Sequence, residues 1–329
     1  MKASFRQLLQ LSPVIAVLLS LAFGVSCATK AMPGTGSRHP VYLFTSFRDA
    51  DQKYLRFLYS YDGYHWTNVP GTFLEANVGA SKQFRDPSIV RGPDGTFHLV
   101  WTAGWHGDQG FGCASSKDLI HWPEQKFVPV MTNEPTTVNV WAPEIFYDAG
   151  GKQFIIVWAS TIPGRFPDYL EKPDNNHRLY FTTTRDFTNF APAKLFFDPG
   201  FSVIDGFILK DGKRFALLNK DNSRPELDLR VAFAHSPLGP WRDESKPFTQ
   251  KFTEGPCALK VGKDWLIYFD AYREKVYGAV KTRDFKNFTD VTREVSFPEN
   301  HKHGTAFEVP PELLKGVLNS PNATSKTNL

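Results

Sequence analysis

Short apolar runs broken by glycine and aspartate turns repeat along the chain, and no long stretch keeps the spacing of an amphipathic helix. One unit recurs. It opens with an acidic residue at the head of a short apolar segment, turns through Gly or Asp, and continues into an aromatic, strand-like run. The first copy runs from Phe84 to Val90 and turns at Gly92-Pro93-Asp94-Gly95 into Phe97 to Trp101. The second runs from Trp141 to Phe146, turns between Asp148 and Gly151, and continues from Phe154 to Trp158. The third is Ile204 to Leu209, turning at Asp211-Gly212 into Phe215 to Leu218. The fourth is Glu254 to Leu259, turning at Gly262-Lys263-Asp264 into Trp265 to Phe269. A fifth head segment, His303 to Val309, arrives just before the chain runs out. The five heads carry Asp86, Glu144, Asp205, Glu254 and His303.

A further run in each unit alternates polar and apolar residues and ends in a turn. Tyr61-Asp62-Gly63 leads to His65-Trp66, Lys117-Asp118 to His121-Trp122, Arg185-Asp186 to Asn189-Phe190, and Arg283-Asp284 to Asn287-Phe288. In the third unit Val231 to Ser236 leads to Pro240-Trp241. The aspartates in these motifs read as turn chemistry rather than as a site. Each unit therefore predicts four strands, and the heads stand 58, 61, 49 and 49 positions apart. A four-strand repeat near this period predicts a β-propeller. The fifth unit has only its head strand, and the strands it lacks stand at the other end of the chain, from Val41 to about Val69. The reading is an all-β fold, a five-bladed β-propeller whose fifth blade is closed by N- and C-terminal strands, leaving no open sheet edge. A β-sandwich does not predict the missing strands at the opposite terminus.

Composition agrees with this reading and narrows the partners. Aromatics make up 15% of the 329 residues, with 24 Gly and 24 Pro, as an all-β chain with many tight turns requires. The net charge of +4 is small, and no basic run interleaves with aromatics, so nucleic acid is not an expected partner. Residues 1–28 read as an export signal: Lys2 and Arg6 precede an apolar stretch from Val14 to Phe23 and small residues follow. Cys27, in Gly24-Val25-Ser26-Cys27, stands where a bacterial lipoprotein signal places its lipidated cysteine, although Gly24 departs from the usual Leu. A lipidated Cys27 would be the sole membrane anchor. The expectation is an exported protein: a periplasmic or cell-surface lipoprotein, or a secreted one after ordinary cleavage near Ala28. Residues 29–40 read as a polar linker, 41–311 as a single propeller and 312–329 as a mobile polar tail. Cys113 and Cys257 are expected to be buried free thiols, no Cys/His spacing suggests zinc, and a monomer is expected.

The first strand of a propeller blade lines the central channel, so the five heads converge at one end of the axis. The ends of the second strands rim the same pocket: Thr102 to His106, Ser160-Thr161, Asn219 to Asn222, Asp270 to Arg273 and Thr45 to Arg48. Carboxylates at the base with Trp, Tyr and Arg on the rim suit a sugar.

These motifs resemble the five-bladed propeller glycoside hydrolases of family 43, which include arabinofuranosidases, β-xylosidases, arabinanases and some galactofuranosidases. The resemblance covers essentially the whole chain after the leader. It implies that Asp86, in Asp86-Pro87-Ser88, is the general base. Asp205, ahead of Asp211-Gly212-Lys213, would tune and orient the acid, and Glu254, in Glu254-Gly255-Pro256, would be that general acid. Trp141-Ala142-Pro143 and His303-Gly304 match the motifs of the second and fifth blades, and in some members the histidine lies near an axial calcium or water cluster. Invertase-type propellers carry an Arg-Asp-Pro motif on the third blade. Here Arg85-Asp86-Pro87 opens the first and no Asn-Asp-Pro is present, which favours inversion. Inversion needs an acid and a base about 6.5–9.5 Å apart, and like-charge repulsion from Asp205 is expected to keep Glu254 protonated.

The implied activity is an exported, inverting exo-glycosidase acting on a polysaccharide or oligosaccharide, with α-L-arabinofuranose the foremost sugar and no cofactor required. β-Xylosidase and β-galactofuranosidase are alternatives within the family, and a non-catalytic carbohydrate-binding propeller is the alternative outside it. Arg85, Trp105, Trp141, Glu144, Arg273 and His303 are candidate substrate-binding residues. Glu144 is either a substrate contact or an ion-paired channel residue, Trp105 and Trp141 either face the sugar or pack between blades, and Arg273 is either a rim cation or a surface residue.

Overall fold

The computed structural model describes residues 40–166, 172 and 174–324. The export signal, Cys27 and almost all of the linker lie outside them. Five antiparallel sheets follow in chain order. The first blade holds Arg85–Arg91, Phe97–Thr102, Phe111–Ser116 and Gln125–Val128. The second holds Trp141–Asp148, Gln153–Ser160, Arg178–Thr184 and Lys194–Phe197. The third has Val203–Asp211, Arg214–Asp221 and Asp228–Ala234, and its expected fourth strand is reduced to one bridge between Phe233 and Arg242. The fourth has Thr253–Val261, Asp264–Ala271, Val276–Thr282 and Thr289–Asp290. In the fifth, Ala306–Val309 from the C-terminal side pairs with Val41–Ser46, which leads into Tyr54–Ser60 and Thr67–Asn68. The chain is a five-bladed β-propeller closed by strands from both termini.

The pairing Val41↔Val309 through Phe44↔Ala306 makes the closure. Thr45 Oγ1 then donates to the Pro87 carbonyl at 2.7 Å and accepts from the Thr305 N–H at 2.8 Å, tying the closing blade to the first. Apolar side chains fill the wedges between blades, as around Trp101, Trp158 and Tyr268, each fully buried. Cys113 and Cys257 sit in different wedges as free, buried thiols. The turn aspartates do what their sequence context predicts: Asp62, Asp118, Asp186 and Asp284 each accept two backbone N–H groups at 2.7–2.9 Å.

Two expectations are corrected. The segment read as a polar tail from residue 312 forms a helix, Pro311–Leu318, and a short turn of helix, Pro321–Thr324. Proline at its first position starts the helix, and Leu314 and Val317, on one face, are buried against the cluster of Val41, Leu43, Phe57 and Val309.

The second correction concerns the heads, which are not equivalent positions. Each of the first four inner strands begins with a β-bulge, where three steps of the inner strand match two of its partner. The bulges span Arg85 to Ser88, Trp141 to Glu144, Ile204 to Phe207 and Glu254 to Cys257. Their second residues, Asp86, Ala142, Asp205 and Gly255, all take left-handed backbone, with φ of 50°, 46°, 53° and 58°. Asp86 and Asp205 hold the same step, Glu254 stands one residue earlier and Glu144 two residues later. Bulges re-aim side chains beside functional sites, and this offset delivers the carboxylates at different angles around one axis.

Candidate active site

Four of the heads, Asp86, Glu144, Asp205 and His303, line one pit, and the fourth blade lines it with Gly255 and Pro256 while Glu254 lies beside His303. The free room of the pit is ≈ 30 Å³, enough for one or two waters and too little for a sugar ring. A wider cleft of ≈ 930 Å³, between the fourth and fifth blades, is lined by Asp49, Asp270, Tyr272, Tyr277, His301 and Lys302.

Asp86 is held on both oxygens. Oδ1 lies 2.9 Å from His303 Nε2, and Oδ2 accepts from Thr102 Oγ1 at 2.7 Å. Thr102 Oγ1 in turn accepts from the Ala142 N–H at 2.8 Å, bridging the first and second blades. Burial would raise the Asp86 carboxyl, but the facing His303 outweighs it and holds Asp86 at about 2. Burial would likewise neutralise His303, yet Asp86 pushes it up to about 9. Asp86 is thus an ionised carboxylate paired with an imidazolium at neutral pH.

Across the ring, Asp205 Oδ2 accepts the Gly255 N–H at 2.9 Å, which joins the third blade to the fourth. Glu254 Oε2 is 2.8 Å from Lys220 Nζ, a lysine only 3% exposed whose ammonium also lies 4.9 Å from the Tyr272 ring centre. This departs from the expected protonated Glu254. Burial favours the neutral acid in both Asp205 and Glu254, but the Lys220 ammonium overcomes it at Glu254 and holds that carboxyl below its ordinary value. Asp205 is raised by burial and by the charge of Glu254. Of the two, Asp205 is thus the one that keeps a proton to higher pH. Glu144 is an additional neutral acid: burial pushes it up to about 8, so at neutral pH it can donate a hydrogen bond.

Glu254, Asp270 and His303 bring ligand-type atoms within 4.8 Å of one another. Lys220 already holds Glu254, Lys302 Nζ holds Asp270 at 3.0 Å, and His303 Nε2 faces Asp86. Calcium takes six to eight oxygen ligands, and a cluster of two carboxylates, each already held by an ammonium group, with an imidazole as its third member does not fit that ion.

The rim also forms around the first blade. Trp105, 46% exposed, lies 4.6 Å from Trp141 at 33°, and Trp141 Nε1 donates to the Trp105 carbonyl at 2.6 Å. Arg85 caps Trp105 at 4.8 Å and donates to Asp49 at 3.2 Å. His177 stacks on Trp141 at 5.0 Å. Arg273 is outside this constellation: it is exposed, packs 3.5 Å over the Phe252 ring and lines neither the pit nor the cleft. The rim reading located Lys220 and Asp270 but gave them no role, and missed His177 and Lys302. A strand-end lysine carries no sequence signal that it turns inward onto a glutamate.

Gly255 is required by the packing. A Cβ there would meet His303 Cγ at 2.1 Å, and its φ of +58° is left-handed. Gly255→Ala should destabilise the fold by at least about 1 kcal/mol in denaturant melts, and lower kcat/KM by displacing His303 from Asp86. Gly212→Ala is the matched control, since its φ is +62° and nothing lies within 4 Å, so it should lose stability with turnover intact.

A sequence profile described as a probable glycosyl hydrolase domain, of the family 43-related type, matches residues 39–312. An α-L-arabinofuranosidase of Bifidobacterium longum is 23% identical over 176 residues, which is 47% of this chain and 16% of that protein. An arabinoxylan arabinofuranohydrolase of family 43 from Bacillus subtilis shares the fold at a TM-score of 0.57 and 14% identity, over 79% of this chain and 65% of that one. The α-L-arabinofuranosidase of Clostridium thermocellum does so at 0.54 and 11%, over 82% and 93%. With the profile spanning the propeller from end to end, the chain belongs to the glycoside hydrolases of the family 43 type.

Proposed function

We propose that the protein is an inverting exo-glycosidase that releases a pentofuranose unit, α-L-arabinofuranose foremost, from an oligosaccharide or polysaccharide. The observation that carries this reading is the division of labour across the ring. Asp86 is clamped as a carboxylate by His303 and Thr102 on the first blade. Asp205, which accepts the Gly255 N–H, and Glu254 beside it face Asp86 from the third and fourth. The narrow pit has room for the attacking water beside Asp86, and the sugar rests on its mouth against the Trp105–Trp141 shelf. Asp86 takes a proton from that water while Glu254 delivers one to the leaving oxygen. Glu144, as a neutral acid, donates to a hydroxyl of the bound sugar. The arabinofuranosidases named among the relatives support the choice of sugar. We also propose that residues 1–28 direct export, which N-terminal sequencing of the mature protein tests.

Glu254 must carry a proton to deliver it to the leaving oxygen, and Lys220 opposes that protonation. Removing the cation lets Glu254 hold its proton to higher pH, so Lys220→Met should move the alkaline limb of kcat/KM upward. A shift of about one unit corresponds to 1.36 kcal/mol of lost interaction, and Lys220→Arg should keep the wild-type profile. An unshifted limb in Lys220→Met would contradict this role.

Hydrolysis of aryl α-L-arabinofuranoside, β-D-xyloside and β-D-galactofuranoside tests the sugar. Turnover of the arabinofuranoside is expected. Turnover of only one of the others reassigns the sugar, and sugar binding without turnover of any substrate would identify a binding propeller.

A further inference from the structure

The third blade differs from the others at its outer edge. In the place where four blades carry a turn aspartate, it has Ser236-Pro237-Leu238, and no regular fourth strand follows. The segment from Arg242 to Phe248 caps this edge through irregular backbone hydrogen bonds instead of a strand, and beside it lies a groove of ≈ 930 Å³ between the third and fourth blades, lined by residues between Phe233 and Phe248 and by Phe285, Lys286 and Phe288. The groove lies at the far face from the pit. Arg214, on its wall, begins the strand whose other end carries Lys220 beside Glu254, and six strand residues span roughly 20 Å.

Its lining is aromatic and cationic. Phe248 and Phe288 stack at 4.5 Å and 11°, one from each blade. Arg214 is committed to structure, paired with Asp211 at 3.0 Å and donating to the Asp284 carbonyl at 2.9 Å. Arg242, Lys246 and Lys286 are exposed and make no ion pair with any described residue, and Asp243 is the one carboxylate in the lining. Unneutralised cations around a hydrophobic floor complement a ligand with an apolar face and spaced carboxylates.

We propose that this groove is a second carbohydrate site, separate from the hydrolytic pit, that takes an acidic oligosaccharide bearing uronic-acid carboxylates. The sugar character of the ligand rests on the glycosidase reading, while the acidic character rests on the groove alone. The sugar ring faces pack on Phe248 and Phe288, and the carboxylates pair with Arg242, Lys246 and Lys286. Such a site holds the enzyme on an acidic chain while the opposite face trims neutral side units.

Calorimetry of the full chain with tetragalacturonate, and with neutral xylotetraose as control, tests this. Binding of the acidic tetramer is expected, weakening as salt is raised. It should fall at least about tenfold in the Arg242→Ala/Lys246→Ala double variant, with aryl glycoside hydrolysis unchanged. Lys286→Ala, a single exposed change, should weaken binding in the same direction and guards against a folding defect in the double variant. No binding of tetragalacturonate, equal binding of xylotetraose, or full affinity in the double variant overturns the proposal. An inactive enzyme that still binds through the groove would instead count against the glycosidase reading alone.

Discussion

Asp86→Asn should lower kcat/KM by about two to four orders of magnitude while leaving the propeller folded. The substitution keeps the shape and can keep the Thr102 hydrogen bond, but removes the charge that activates water. It also leaves His303, buried and pushed up to about 9 chiefly by Asp86, without its paired anion. The imidazole should therefore lose its proton in the variant, a change that histidine NMR titration detects. Azide, a small anion that can occupy the pit, should restore turnover because it needs no base. A variant retaining near-wild-type rates would remove Asp86 from the role of base.

The second large effect concerns Glu254→Gln, and it should depend on the leaving group. A poor leaving group such as a sugar alcohol needs its oxygen protonated, so hydrolysis of an arabino-oligosaccharide should fall by about two to four orders of magnitude. A nitrophenolate leaves with little help, and its glycoside should be hydrolysed with a much smaller loss. Equal losses on both substrates would point to Glu254 as a binding residue and move the acid to Asp205, whose carboxyl is the one raised by burial and by the charge of Glu254. The substitution also strands the buried Lys220 ammonium, which now faces an amide. Lys220→Met/Glu254→Gln should thus recover stability lost in the single variant, because an uncompensated buried charge is costlier than an apolar replacement.

The ring and its closure were legible because both are consequences of repetition. A unit of apolar head strand, turn, aromatic strand and Asp-capped turn can be counted by eye, and the strands absent after Val309 could be found at Val41. The positions of Asp86 and Asp205 at the pit, and of Glu254 next to it, followed from the same count. What the count could not give was the offset among them. A bulge adds one residue to an inner strand without changing the apolar pattern, so Glu144 read as a head like the rest, whereas it stands two residues past the left-handed step. Nor could it give the charges facing each carboxylate. Lys220 and Lys302 come from neighbouring strand ends and loops, and only the blade geometry aims them at Glu254 and Asp270. That is why like-charge repulsion from Asp205 suggested a protonated Glu254, while the structure has an ammonium there that reverses the direction. The helix Pro311–Leu318 is obscured for a different reason: Leu313, Leu314, Val317 and Leu318 have helical spacing after Pro310-Pro311, but the stretch is short and runs into the polar residues that end the chain.

The geometry assigned to Asp86 and Glu254 makes a stereochemical claim, and proton NMR of the first product formed tests it most directly. With an aryl α-L-arabinofuranoside as substrate, β-L-arabinofuranose should appear first and mutarotate afterwards. Release of the α anomer first would show a retained configuration and contradict the pairing of a base on the first blade with an acid on the fourth.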